Sequence, residues 1–255
     1  MSELWFVGAG LSDERGLSAR AVEVLSTTPT VLAEEYTAAL APGFLDRLSV
    51  VLGRPIGRLD RAALEDGKVV LAALEKGSVA LLVPGDPFAA TTHVALRLAA
   101  EEAGHDWRYL PNASILTAAA GYLGLQPYRF GRVVSVPFPE PGFRPTSPVE
   151  KIRANRDQGL HTLVLLDLRP SEGRFLAPGP AIEALEAVDA DPRAIPPEAP
   201  IAVVARVGTD EGRAWYGRPA DLKGAEFGRP MYALVVPAPT LHFEEERAIR
   251  RFRYP

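Results

Sequence analysis

The chain has 255 residues, 47% of them hydrophobic and 24% charged, which suits a globular protein with one large domain or two of ordinary size. Its formal net charge of -4 argues against a life on nucleic acid, which asks for a basic stripe. The lack of cysteine excludes disulfides, thiolate metal ligands and a cysteine nucleophile, and no apolar run approaches the roughly 20 residues that span a bilayer.

The opening "MSELWFVGAG" has no basic region followed by a long apolar run, so it does not read as a secretory signal, and a cysteine-free chain fits a reducing, cytoplasmic setting. "LWFVGAG", Leu4 to Gly10, reads as a strand ending in a glycine turn. "LSARAVEVLSTT" then places Leu17, Ala21, Val24 and Leu25 at helical spacing. Thr30 to Tyr36 is a second strand, "RAALEDGKVVLAALEKG" mostly helical and "SVALLVPGD" a third strand. "HVALRLAAEEAG" is a helix closed by Gly104, and "HDWRYLP" a short strand stopped by Pro111. Strands separated by helices of this length imply parallel βαβ units in an open sheet.

After Pro111 the texture changes. "NASILTAAAGYLG" is a helix with Asn112 or Ser114 available as its cap, and "RVVSVPF" is a strand. Pro137 to Pro148 is too rich in proline for regular structure and predicts an ordered loop or lid. "PVEKIRANRDQG" is a helix, "LHTLVLLDL" a strand and "PAIEALEAVDA" a helix. "APIAVVARVG", "RAWYGRP" and "PMYALVVPAP" read as three further strands before a final helix, "HFEEERAIRRF", whose charges suit a solvated face. Consecutive strands without long helices between them predict a mixed sheet. The fold class is therefore α/β: an N-terminal domain over 1–111 with a mostly parallel open sheet, and a C-terminal domain over 112–255 with a mixed one.

Several stretches can carry chemistry. "VGAGL" is a glycine-rich turn after a strand, but the full dinucleotide fingerprint is missing and a plain tight turn explains it better. In "PGDPFAATTH", Asp86 lies outside the carboxyl end of a strand, where open α/β sheets bind ligands. It can accept hydrogen bonds from ribose hydroxyls or an ammonium group. Read by itself, the pattern favours a helix cap, with Pro87 in the first helical turn. The histidines, His93, His105, His161 and His242, form no paired metal spacing. His93 stands nearest the loop, with a surface residue on a first helical turn as the bland alternative. His161 and His242 border elements as caps or partner contacts. No G-x-S-x-G elbow or P-loop occurs.

Taken together, "FVGAGLSDERGLSARAVEVL", "AEEYTA", "PGDPFAATTH", "NASILTAAAGYLGLQPYRFGRVVSVPF", "GLHTLVLLDL", "VVARVG" and "LHFEEE" resemble the diphthine synthase branch of the tetrapyrrole methylase superfamily. The matching pieces run from end to end in order. The resemblance implies two α/β domains with a ligand cleft between them, S-adenosylmethionine as methyl donor with S-adenosylhomocysteine as product, no metal, and a homodimer. Carried over position by position, it implies cofactor contacts at Leu11, Asp86, Ala89, Ser114, Ile115, Leu166, Val207 and Tyr232. The last position departs from the family, which has a histidine where this chain reads Met231-Tyr232. The implied reaction is successive methylation of the amino group on a modified histidine of translation elongation factor 2, the protein substrate, in diphthamide biosynthesis. No direct nucleic-acid or membrane partner is implied. The proton acceptor for the substrate amine stays open between a carboxylate, a tyrosine and water. A corrin or porphyrin methylase of the same fold and a non-catalytic nucleotide-binding module are the competing readings.

Overall fold

The computed structural model describes residues 2–89, 93–190 and 192–255, so Ala90, Thr91 and Thr92 of the "GDPFAATTH" stretch lie outside the described residues. The chain divides into two compact units, Met1–Ile115 with Pro170–Gly173, and Leu116–Arg169 with Arg174–Pro255.

The first unit runs β1 (Glu3–Gly8), α1 (Ala19–Thr27), β2 (Thr30–Glu34), α2 (Phe44–Leu52) and β3 (Gly57–Leu59). It continues through α3 (Arg61–Asp66), α4 (Lys68–Leu74), β4 (Val79–Val83), α5 (His93–Glu102) and β5 (Asp106–Leu110). The strands form one parallel sheet in the order β3-β2-β4-β1-β5. Side chains alternate across a strand, and the two faces fill separately. Val7, Val31, Ala33, Ala80 and Leu82 pack with α1 and α2, whereas Leu4, Phe6, Leu32, Leu81 and Val83 pack with α3, α4 and α5.

That division follows from handedness. The connections β1→β2 and β2→β3 run toward the β3 edge, whereas β3→β4 and β4→β5 run toward the β5 edge. Right-handed crossovers in opposite directions put their helices on opposite faces. The sheet therefore changes winding direction at neighbouring strands β1 and β4, and the loops at their carboxyl ends part there. Local signals agree with this frame. The Ser18 side chain caps α1 by accepting from the Ala21 N–H at 3.0 Å, and Ala21, Val24 and Leu25 form its buried stripe.

Elements of the first unit go beyond the sequence reading. α2 buries Phe44, Leu45 and Leu48 but leaves Val50 80% and Val51 63% exposed, so apolar residues on both faces blur the helical period. β3 is only three residues long with two of them exposed. The stretch "RAALEDGKVVLAALEKG", read as mostly helical, holds two helices, because Gly67 takes a left-handed φ of 68° and ends α3.

The second unit begins within α6 (Ile115–Leu123) and runs through β6 (Val134–Val136), α7 (Ser147–Asp157), β7 (Thr162–Leu166), β8 (Leu168–Arg169) and β9 (Arg174–Phe175). It closes with α8 (Pro178–Glu186), β10 (Ile201–Ala205), β11 (Arg213–Gly217), α9 (Pro219–Lys223), β12 (Tyr232–Val236) and α10 (Phe243–Ile249). Its main sheet, in the order β11-β10-β12-β7-β6, is mixed: β6 and β7 pair in parallel and the rest are antiparallel. Only the parallel pair needs a crossover helix, α7, which explains the run of strands with little helix between them. Val149 and Ile152 of α7 and Ala181, Ile182 and Leu185 of α8 cover one face of this sheet. Pro137 to Pro148 is an irregular loop with one tight turn, Phe143 N–H to Glu140 C=O at 3.1 Å, until α7 opens at Ser147. Among the described residues no helix is long and apolar enough to cross a membrane.

Candidate functional site

The carboxyl ends of β1 and β4 are tied together before their loops diverge. Gly10 N–H donates to Gly85 C=O at 3.0 Å and Gly85 N–H to Gly10 C=O at 2.8 Å. Both glycines have left-handed φ, 74° and 69°, which a side chain would strain. "VGAGL" is thus a turn that carries Leu11 to the loop holding Asp86 and Ala89. Such a switch point in an open α/β sheet forms the crevice in which ligands bind.

Asp86 is half-buried there and organises the loop around it. Its Oδ1 accepts from Phe88 N–H at 3.0 Å, and its Oδ2 from the Tyr109 hydroxyl at 2.6 Å and Asn112 N–H at 3.3 Å. The helix-cap reading of Asp86 does not hold, since Pro87, Phe88 and Ala89 form a turn and not a helix, and the carboxylate accepts from Phe88 N–H within that turn. An ionised carboxylate has about four acceptor positions, two per oxygen. With Oδ2 doubly engaged, the position left unfilled by the described residues is on Oδ1. A partly exposed acceptor of that kind suits a hydroxyl or ammonium donor.

Asn112, expected only as a helix cap, has a larger part. Its side-chain amide donates to Gly8 C=O at 2.9 Å and Gly16 C=O at 3.2 Å, while its Oδ1 accepts from Ala113 N–H at 2.8 Å. It fastens the turn after β1 to the segment that leads to Ser114 and Ile115, both half-buried. This contact needs a glycine at position 8. A Cβ there would lie 2.7 Å from Asn112 Cβ and 2.9 Å from both Asn112 N and Gly85 O. We expect Gly8→Ala to cost about 1–3 kcal/mol in chemical denaturation, because backbone has to move.

Tyr109 was not singled out in the sequence, where it is one aromatic in a short strand. Partial desolvation and the neighbouring Asp86 push its phenol up to about 12, although the residue is 39% exposed, so at neutral pH it keeps its proton and donates. Its ring lies 5.0 Å from that of Phe88, which also packs on Phe6 at 4.9 Å. His93, for which a surface position was the bland alternative, is 1% exposed, with Nδ1 2.8 Å from Pro87 C=O. It underpins the loop from within the core.

Leu11, Asp86, Ala89, Ser114 and Ile115 all belong to the first unit. The other three expected contacts, Leu166, Val207 and Tyr232, belong to the second, where they share one end of the mixed sheet. Leu165 pairs with Ala233 and Ala205 with Tyr232, so Leu166 and Tyr232 end neighbouring strands and Val207 follows β10 closely. Leu166 and Val207 are buried and Tyr232 half-buried, its hydroxyl donating to Gly228 C=O. Between them Arg206 has a left-handed φ of 52°, and its guanidinium donates to the carbonyls of Glu211, Phe227 and Arg229. It clamps the two loops that bear Val207 and Tyr232.

The second unit also holds a buried polar network. Glu245, in the helix expected to show a solvated face, is 0% exposed. Its Oε1 accepts from Gln126 N–H and His161 Nε2–H, each at 2.9 Å, and its Oε2 from His242 N–H at 2.9 Å and the Arg129 guanidinium. His161 is equally buried, and its Nδ1 accepts from Ala238 N–H at 2.8 Å, which puts the ring proton on Nε2. Burial holds the His161 pKa below its ordinary value against the pull of Glu245. The Glu245 carboxyl is lowered despite its burial, because backbone N–H groups of Gln126 and His242 and the His161 ring favour the charged form. All four acceptor positions are filled, so this carboxylate is a staple with nothing left for a ligand. His242 caps α10, one of the two roles foreseen for it. Among the described residues no group of three or more histidine, aspartate and glutamate side chains is arranged to hold a metal.

The description of tetrapyrrole (corrin/porphyrin) methylases matches residues 3–222. A diphthine synthase of Methanocorpusculum labreanum is 38% identical over 251 residues, covering 98% of each chain. A diphthine methyl ester synthase of Emericella nidulans is 36% identical over 269 aligned residues, 98% of this chain and 93% of its own. A crystal structure of a diphthine synthase superposes with a TM-score of 0.90 at 37% identity, covering 99% of this chain and 96% of the other. Full-length likeness of this degree, with the same parallel and mixed sheets, shows that the chain belongs to the tetrapyrrole methylase family, in its diphthine synthase branch.

Proposed function

We propose that the protein is an S-adenosylmethionine-dependent methyltransferase that successively methylates the amino group of the modified histidine of elongation factor 2 in diphthamide biosynthesis. The observation that carries this reading is the half-buried Asp86 carboxylate, with an acceptor position left on Oδ1, beside the Gly10–Gly85 bridge at the switch point. The family and the names of its full-length relatives supply the reaction class.

S-adenosylmethionine offers donors that fit this acceptor, two ribose hydroxyls and an ammonium group. It supplies a methyl group already activated on a sulfonium, so transfer to an amine is an in-line displacement that asks for positioning above all. Asp86 is the anchoring ligand, Leu11 and Ala89 are packing walls, and Ser114 and Ile115 are contacts held in register by Asn112. Leu166, Val207 and Tyr232 are the further contacts at the end of the second sheet, with Arg206 as their clamp. The acceptor nitrogen must shed its proton before it attacks. Tyr109 does not take that proton at neutral pH, because its own phenol is held near 12. The enzyme acts in the cytoplasm as a homodimer, and the proline-rich loop from Pro137 to Pro148 is the proposed docking segment for its protein substrate.

The test is incubation with labelled S-adenosylmethionine and elongation factor 2 bearing the unmethylated precursor on its histidine, followed by localisation of the label. Label on that amino group is the expected result. Transfer to corrin or porphyrin precursors alone would select the other branch of the family, and binding without transfer to any acceptor a non-catalytic module.

A further inference from the structure

We infer that Tyr109 is a positioning residue of the methyl-donor site, holding the Asp86 carboxylate so that Oδ1 is the oxygen presented to the donor. The inference rests on the reading of Asp86 as a ligand for S-adenosylmethionine. Three observations carry it.

The Tyr109 hydroxyl reaches Asp86 Oδ2 at 2.6 Å, and with Asn112 N–H it fills both acceptor positions of that oxygen. A carboxylate on a loop is free to rotate about its terminal torsion, which is broad and two-fold. Two donors on one oxygen and Phe88 N–H on the other hold a single orientation. The phenol is itself fixed, because the Phe88 ring packs against it at 5.0 Å and is braced by Phe6 and Trp107 at 4.9 and 6.2 Å. Tyr109 and Phe6 are paired residues on adjacent strands, so the sheet anchors this cluster and Phe88 joins it from the loop. Finally, the raised pKa of the phenol keeps the donating proton in place across the working pH range. Asp86 thus arrives pre-organised, and less orientational freedom is lost when a ligand donor binds.

The experiment is a double-mutant cycle read by calorimetry with S-adenosylhomocysteine, on the full chain as wild type, Tyr109→Phe, Asp86→Ala and the double variant. Tyr109→Phe keeps the ring and its packing, and its melting curve checks that the fold persists. We expect Tyr109→Phe to bind about 3- to 10-fold more weakly, the range for one lost hydrogen bond. The double variant should bind no worse than Asp86→Ala alone, because Tyr109 acts through that carboxylate. In the methyl-transfer assay Tyr109→Phe should raise KM for S-adenosylmethionine and leave kcat unchanged. Wild-type affinity in Tyr109→Phe beside a weakened Asp86→Ala overturns this inference while the site reading stands. Additive losses in the double variant overturn it too, since Tyr109 would then act independently of Asp86. Wild-type affinity in Asp86→Ala removes the site reading and the inference with it.

Discussion

Asp86→Ala is expected to weaken S-adenosylhomocysteine binding by about 10- to 100-fold, the range for hydrogen bonds made to a charged group. The carboxylate has two jobs in the structure. It accepts from Phe88 N–H, the Tyr109 hydroxyl and Asn112 N–H, and it retains one acceptor position at the switch point of the parallel sheet. On the proposed reading of the site, removing it takes away the ligand's partner and frees the loop around it. Asp86→Asn separates the two. It retains an oxygen acceptor of similar size but loses the charge and turns one acceptor into a donor, which faces Tyr109 or the ligand wrongly. Calorimetry on all three proteins, with melting curves alongside, reads the result. Unchanged affinity in Asp86→Ala would leave Asp86 as a loop brace only.

Glu245→Ala should destabilise the chain by about 3–5 kcal/mol, the cost of removing one partner from a buried charge network. Arg129, His161 and the Gln126 and His242 N–H groups would all lose their acceptor together. Urea denaturation measures the loss, and an effect below 1 kcal/mol would sink the idea that Glu245 is a staple. Glu245→Gln, able to accept on one side only, should fall between wild type and alanine.

The same network sets a pH dependence. The pKa of buried His161 lies below its ordinary 6.5, so the unfolded chain takes up a proton there before the folded chain does. Its contribution to stability is therefore complete above pH 6.5 and is lost as pH falls from there through the folded value. Glu245, lowered from 4.5, adds a second loss in the more acidic range. Denaturation midpoints should decline in these two steps. A stability that stays flat between pH 7 and pH 4.5 would contradict the buried neutral His161.

Most elements are legible in the sequence because the signals for them are local. Val79 to Val83 is an apolar run bounded by turn residues, and Ala21, Val24 and Leu25 repeat at the helical period behind the cap residue Ser18. The signal fails where a segment is short, as in β3, or where it carries apolar residues on its exposed face, as Val50 and Val51 do in α2. Gly67 lies in a stretch that reads as mostly helical, and its left-handed φ, with the break between α3 and α4, belongs to the packed structure.

By itself, the sequence determined the α/β class, the parallel and mixed character of the two sheets, and a motif set specific enough to name the family. Those properties reside in periodicity and in ordered short stretches, which survive in a one-dimensional string. Tertiary structure alone decided what the carboxylates do. The partners of Asp86 at Tyr109 and Asn112 are 23 and 26 residues away, and those of Glu245 at His161, Arg129 and Gln126 are 84, 116 and 119 away. Which distant donors meet an acid depends on strand order and register, and these are set by burying whole faces rather than by any local pattern. An acid beside two prolines thus became a loop brace with one acceptor position to spare, the position that the proposed function gives to the methyl donor. An acid in a charge-rich helix became a fully occupied staple.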